Sequence, residues 1–274
     1  MGKNMRFWKK TITAIAIMAG ANSAYAELPS FDITIQFDSG LSESQQAVFS
    51  SAESYWESVI TNYAYNVTFE PGLTITASGE EIDGQSGILG QAGPTVGNSS
   101  YGTLYATGGT MRFDTADLDY MESQGTLYNV ILHEMAHVIG YGSLWDYNGL
   151  YTDGTGEYTG ANALAEYQAE FDPNATYIPI ELDGGEGTQD AHWDEDWAGG
   201  STELMTGWLN GTPFISNTTL AQFEDLGYIV DFESLVSVND GADLTPGEAS
   251  NVPTPYMSLA ALTLLGLARR KKLG

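Results

Sequence analysis

Along FDITIQFDSG (31–40) apolar and polar positions alternate until Gly40 breaks the pattern, which predicts a strand. The period then changes. In SESQQAVFSSAESYWESVI (42–60), Val48, Phe49, Ala52, Tyr55, Trp56, Val59 and Ile60 recur at helical spacing. Ser42, followed three residues later by Gln45, has the form of a capping box at the start of that helix. NVTFEPGLTITAS (66–78) reads as one or two strands, and residues 79–110 are glycine-rich and read mainly as loop with a short strand. TMRFDTADL (110–118) reads as a strand running into a turn. SQGTLYNVILHEMAHVIG (123–140) predicts a helix whose apolar face is Leu127, Val130, Ile131, Met135 and Val138, ended by Gly140. Two further helices are expected, GANALAEYQAEF (160–171) and TTLAQFEDLG (218–227), inside a region otherwise rich in Gly, Asp, Glu and Tyr. After Phe232 the periodicity fades into a polar, Pro- and Gly-containing stretch that reads as a linker.

The two ends differ from this middle. Residues 1–26 have a basic start (Lys3, Arg6, Lys9, Lys10), an apolar run from Ile12 to Ala21, and Ala24-Tyr25-Ala26, a small-residue cleavage pattern. They predict a signal peptide, with the mature chain beginning at Glu27. At the other end Tyr256–Ala268 is apolar and Arg269–Lys272 is basic. Thirteen helical residues span only ~20 Å, short of a bilayer core of ~30 Å. This tail resembles the PEP-CTERM class of bacterial sorting signals, with Thr254 where that class has Glu. The resulting expectation is four parts: signal peptide 1–26, catalytic body 27–232, linker 233–252 and sorting or membrane segment 253–274. Export to the cell envelope or beyond follows from it, with envelope sorting machinery as a partner of the tail.

Charge narrows the class of partner. Between Glu27 and Ala268 lie all 36 acidic residues and one basic residue, Arg112, so the body carries 35 net negative charges. Such a surface repels nucleic-acid phosphates, which argues against a nucleic-acid partner. The chain has no cysteine, so disulfides hold nothing here.

The chemistry lies in HEMAHVIGYGSLW (133–145). His133 and His137, four apart on a helix, present two ligands on one face, and Glu134 stands where a general base is needed. A catalytic zinc takes three protein ligands and keeps a fourth position open. In the extended form of this motif a third histidine follows six residues after the second, but that position is Ser143. The chain has three histidines, so the remaining one, His192 in GGEGTQDAHWDEDW, is the candidate, with Asp190, Asp194 and Glu195 nearby as alternatives.

HEMAHVIG, the distant GGEGTQDAHW and ELMTG soon after it resemble, in that order, the leishmanolysin family of metzincin zinc peptidases; ILGQAGPT and GGTMRFDTADL extend the likeness upstream. In that family an insertion separates the second and third histidines. The resemblance implies an α+β metzincin-like fold: a twisted mixed sheet and an active-site helix, followed by a loop-rich C-terminal subdomain. It implies zinc on His133, His137 and His192, with Glu134 as general base. It also implies that Gly140 turns the chain after the helix and that Met205 forms the apolar turn beneath the metal. GGTMRFD (108–114) is similar to the metzincin edge strand that pairs with an extended substrate, making Gly109, Thr110, Met111 and Arg112 substrate-strand candidates. The expected function is exported, zinc-dependent hydrolysis of peptide bonds in protein or peptide substrates; the alternative is a non-enzymatic zinc-binding surface or matrix protein that keeps the fold. A second metal is also considered: DYNGLYTDGTGE (146–157) places Asp146, Asn148, Asp153 and Glu157 in a glycine-rich loop of the kind that suits calcium.

The charge excess makes one prediction. Self-repulsion of the body should be relieved by screening, so its melting temperature should rise with added sodium chloride or calcium. A melting temperature indifferent to both would contradict this.

Overall fold

The computed structural model describes residues 28–185 and 187–233. The expected signal peptide, nearly all of the expected linker and the expected sorting tail lie outside these residues.

Helix α1 (Glu43–Val59) begins as the sequence specifies. The Ser42 hydroxyl accepts the Gln45 N–H, and the Gln45 side chain accepts the Ser42 N–H, so the capping box is complete. Its Phe49, Ala52, Tyr55, Trp56 and Val59 are buried. The main sheet holds β1 (Ile33–Phe37), β3 (Leu73–Glu80), β4 (Gly90–Ser100) and β5 (Thr103–Asp114), in the order β1-β3-β5-β4. β1, β3 and β5 run parallel, and β4 is antiparallel at one edge. Two small sheets complete the strands: β2 (Ile60–Tyr63) with β8 (Tyr228–Val230), and β6 (Glu157–Tyr158) with β7 (Ile178–Pro179). The architecture is α+β, as the resemblance implies.

The glycine-rich stretch expected to be mainly loop is instead the β4–β5 hairpin. At Gly90 and Gly109 a helix presses on the sheet. A Cβ on Gly109 would fall 2.3 Å from Cγ1 of Val138, on helix α3 (Leu127–Ile139), and 2.7 Å from the Gly93 carbonyl oxygen. Without side chains to alternate, the period-2 signal is lost. The expected helix over 123–140 begins only at Leu127, and the turn expected after the 110–118 strand is a helix of its own. Asp114 ends β5 and caps a separate helix, α2 (Thr115–Gln124), and Gly125 then breaks it at φ 70°. Oδ2 of Asp114 further accepts the N–H groups of Ile82, Asp83 and Gly84, pinning the loop that leaves β3. α1 and α3 are tied by the buried Trp56 indole, which donates to the Leu132 carbonyl at 3.1 Å.

The loop-rich part after α3 is closed by two helices, α4 (Ala161–Glu170) and α5 (Asn217–Asp225), that cap each other. Glu170, at the end of α4, accepts the Asn217 and Thr218 N–H groups that open α5. Asp225, at the end of α5, accepts the Asn162 and Ala163 N–H groups that open α4, and the Tyr158 hydroxyl. Each carboxylate thus meets the positive end of the other helix. Gly160 gives α4 no side-chain cap of its own, so Asp225 is its acceptor.

Asp225→Ala should therefore cost about 1–2 kcal/mol, the usual value of a lost cap. Urea unfolding followed by tryptophan fluorescence measures this, and a loss within error of zero would deny the cap its role.

Candidate metal centre

Helix α3 carries His133 and His137 one turn apart, both fully buried. It ends at Gly140, whose φ of 140° lets the chain turn sharply, as expected; its N–H still reaches the Ala136 carbonyl. Two residues on, Gly142 has φ 67°, and a Cβ there would fall 2.4 Å from the Ala191 carbonyl oxygen. The backbone after the helix therefore lies directly against the residue preceding His192. Ser143, where the uninterrupted motif has its third histidine, caps the helix end instead: its hydroxyl donates to the His137 carbonyl at 2.7 Å.

Backbone hydrogen bonds hold the His192 segment from both sides. The His192 carbonyl accepts from Glu181, and Trp193 N–H donates to the Met205 carbonyl. These contacts set the 190–193 segment between residues 180–181 and the turn at 203–206. The three rings then converge. The Nε2 atoms lie 3.0 Å apart for His133 and His137, and 3.1 Å for each with His192. Each Nδ1 faces a backbone carbonyl oxygen: Leu204 for His133 at 2.7 Å, Tyr141 for His137 at 3.0 Å, and Thr188 for His192 at 2.8 Å.

These partners decide the tautomers. A carbonyl oxygen only accepts, so each Nδ1 carries the proton and each Nε2 is a bare lone pair. Three lone pairs cannot hydrogen-bond to one another, so the short N···N approaches are repulsive unless a cation is shared. Tetrahedral ligands at 2.0–2.1 Å from zinc stand ~3.3 Å apart, close to the separations found. Burial holds the rings neutral, lowering His133 to about 3 and His192 to about 4, and carrying His137 well below the ordinary imidazole range. The donor set fits zinc.

Glu134 is also fully buried, and neither of its carboxyl oxygens has a hydrogen-bond partner among the described residues. Burial raises its pKa well above the usual carboxylate range. The start of β4 passes over it: a Cβ on Gly90 would sit 3.2 Å from Cγ of Glu134. Met205 is fully buried in the 203–206 turn, whose Leu204 carbonyl orients His133.

The substrate-strand candidates require correction. Gly109, Thr110, Met111 and Arg112 lie in β5, paired with β3 on one side and β4 on the other. Thr110, for example, faces Thr76 and Gly93. An internal strand has no free edge to offer. The edge strand beside it is β4, hidden in the sequence by its glycines, and its outer side makes no backbone hydrogen bond to any other described segment. Nor does the oxygen-rich loop gather into a calcium cage. Asn148 spends its side chain on the Leu104 backbone, and among the described residues the three histidines are the one group of three or more His, Asp or Glu side chains brought together at ligand distance.

A two-histidine helix completed by a histidine from a distant loop, with a partnerless carboxylate between the helical pair, defines the class of single-metal zinc hydrolases. Residues 103–241 match the leishmanolysin family model, about half of the chain, and the protein belongs to that family of zinc metallopeptidases. A leishmanolysin homolog of Crithidia fasciculata is 31% identical over 121 residues, covering 37% of this chain and 17% of that protein. The matched part thus spans about a sixth of the length of that curated relative.

Gly142 was not singled out by the sequence, and it supplies a test of the geometry. Gly142→Ala forces a strained φ and drives Cβ into the Ala191 backbone, so metal affinity should fall about tenfold or more. Gly149→Ala has a similar φ of 71° with nothing within 4 Å, and should leave metal affinity unchanged. Competition against a chromophoric chelator measures both; equal affinities in the two variants would refute the contact.

Proposed function

We propose that the protein is an exported zinc-dependent endopeptidase in which His133, His137 and His192 hold the metal and Glu134 is the general base. The observation that carries this reading is the convergence of three lone pairs beside a buried carboxylate with no partner of its own. Zinc held there would act as a Lewis acid on the scissile carbonyl and lower the pKa of a water, towards ~7 from 15.7 in bulk.

The protein's own residues do the rest. Glu134, beside His133, accepts the proton of the attacking water and passes it to the leaving amine. A nearby divalent charge would pull its pKa back down from the value that burial alone imposes, leaving it ionised and able to act as a base. The three backbone carbonyls on Nδ1 keep each imidazole in one tautomer and one orientation. The free outer edge of β4 is suited to pair with an extended peptide by β-augmentation, and Gly90 lets that strand pass close over Glu134. Export rests on the signal-peptide pattern of residues 1–26. No helix among the described residues is long and apolar enough to cross a membrane.

Cleavage of labelled casein by the purified protein should be abolished by a zinc chelator and restored by zinc. His192→Ala should lose both metal and activity. Glu134→Ala should keep about one zinc per chain while its rate falls ~10²–10⁴-fold, the usual contribution of a positioned base. Full zinc occupancy with no cleavage of any peptide by the wild-type chain would favour a non-enzymatic zinc protein instead.

A further inference from the structure

The turn that carries Met205 is built around a buried carboxylate. Glu203 is 1% exposed, and no cation is paired with it among the described ion pairs. A carboxylate so placed is tolerated only when donors surround it. Here four do. Oε2 accepts the Met205 N–H at 2.6 Å, and Oε1 accepts the Ser216 N–H at 3.0 Å, the Ser216 hydroxyl at 3.1 Å and the Thr219 hydroxyl at 2.6 Å.

These bonds run from α5 to two of the three histidines. On one side, Glu203 fixes the Leu204–Met205 backbone, and the Leu204 carbonyl orients the His133 ring. On the other, the Thr219 hydroxyl that donates to Glu203 accepts the Trp193 indole N–H at 2.8 Å, and Trp193 follows His192 directly. Trp193 N–H also donates to the Met205 carbonyl, closing a ring of contacts from the 203–206 turn through α5 to the 192–193 segment and back. All acceptors in this ring are oxygens and all donors are used, so the arrangement is directional and has one register.

We propose that Glu203 is a positioning residue of the metal centre, acting through the Leu204 carbonyl on His133 and through Thr219 and Trp193 on His192. This rests on the zinc-peptidase reading above. Glu203 touches neither metal nor substrate; it sets the separation of two ligands that come from segments far apart in the chain. Glutamine cannot replace it. With Oε1 kept for Ser216 and Thr219, the amide would turn an N–H₂ towards the Met205 N–H, two donors facing each other.

The test is zinc affinity of the full chain, measured by chelator competition, alongside the visible spectrum of the cobalt-substituted protein and the melting temperature of the metal-free form. Glu203→Gln should bind zinc about 10–100-fold more weakly, the range found when a partner that orients a metal ligand is lost, and its cobalt bands should shift. Thr219→Val, nearly isosteric, should weaken zinc in the same direction by less. Asp225→Ala, which also removes a hydrogen-bonding carboxylate from α5, a half-buried one, should lower the melting temperature yet keep wild-type affinity and spectrum. The proposal is overturned if Glu203→Gln and Thr219→Val bind zinc as the wild type does, or if Asp225→Ala weakens zinc as much as they do. Should Glu203→Gln fail to fold, Thr219→Val against Asp225→Ala decides alone. A wild-type chain that takes up no zinc would sink the peptidase reading itself; the nitrogen NMR shifts of the His133 ring in Thr219→Val then decide the positioning role, and unchanged shifts overturn it.

Discussion

Three imidazole nitrogens with exposed lone pairs are held within 3.1 Å of one another, and that repulsion is the constraint around which this protein is organised. Left to themselves the rings would rotate apart or take up a proton. They do neither because each is locked from behind by a carbonyl from a different stretch of backbone: the turn at Leu204, the end of the helix at Tyr141, and the loop at Thr188. Everything else can be seen as bracing for those three carbonyls. Helix α3 packs against glycines of the β4–β5 hairpin, Gly142 brings the chain after the helix against Ala191, and the aromatic cluster of Tyr141, Trp145, Tyr158 and Trp193 fills the space behind the loops.

Parts of this were legible in the sequence and parts were not, and the dividing line is physical. Local order shows. Ser42 with Gln45 announced α1, and the i, i+4 pair His133 and His137 announced the metal face of α3, because both signals are complete within one or two helical turns. Non-local order shows only by scarcity or likeness: His192 came forward because the chain has few histidines and because its surroundings resemble a family. The backbone carbonyls that fix the tautomers carry no side-chain signature at all. The β4–β5 hairpin is concealed by its glycines, and at Gly90 and Gly109 the contact that positions helix α3 is also what removes the side chain, and with it part of the alternation that marks a strand. That concealment also led the substrate-strand assignment one strand too far into the sheet, to β5. Helix α2 leaves little helical signal because its buried apolar stripe is only Leu118 and Met121, and its cap, Asp114, is also the last residue of a strand.

The family match and the geometry support each other from separate directions. The match begins at β5 and runs through the second half, whereas β1, β3, β4 and α1 precede it. Those earlier elements nevertheless form the rest of the sheet and the Trp56 anchor on which α3 rests. The part of the chain that matches carries the histidines, and the part before the match supplies the floor that holds them.

The mutual capping of α4 and α5 has a consequence for how such a chain is made. Asn162 and Ala163 wait for an acceptor that lies 63 and 62 residues ahead of them. A chain emerging from its N-terminus must therefore leave the start of α4 unsatisfied until Asp225 has been synthesised. Loop closure over such a separation is slow compared with forming a local helix turn. His192 lies inside that span. The brace on its neighbour Trp193 comes from Thr219 on α5, so the support of the centre is complete only once that helix has been made.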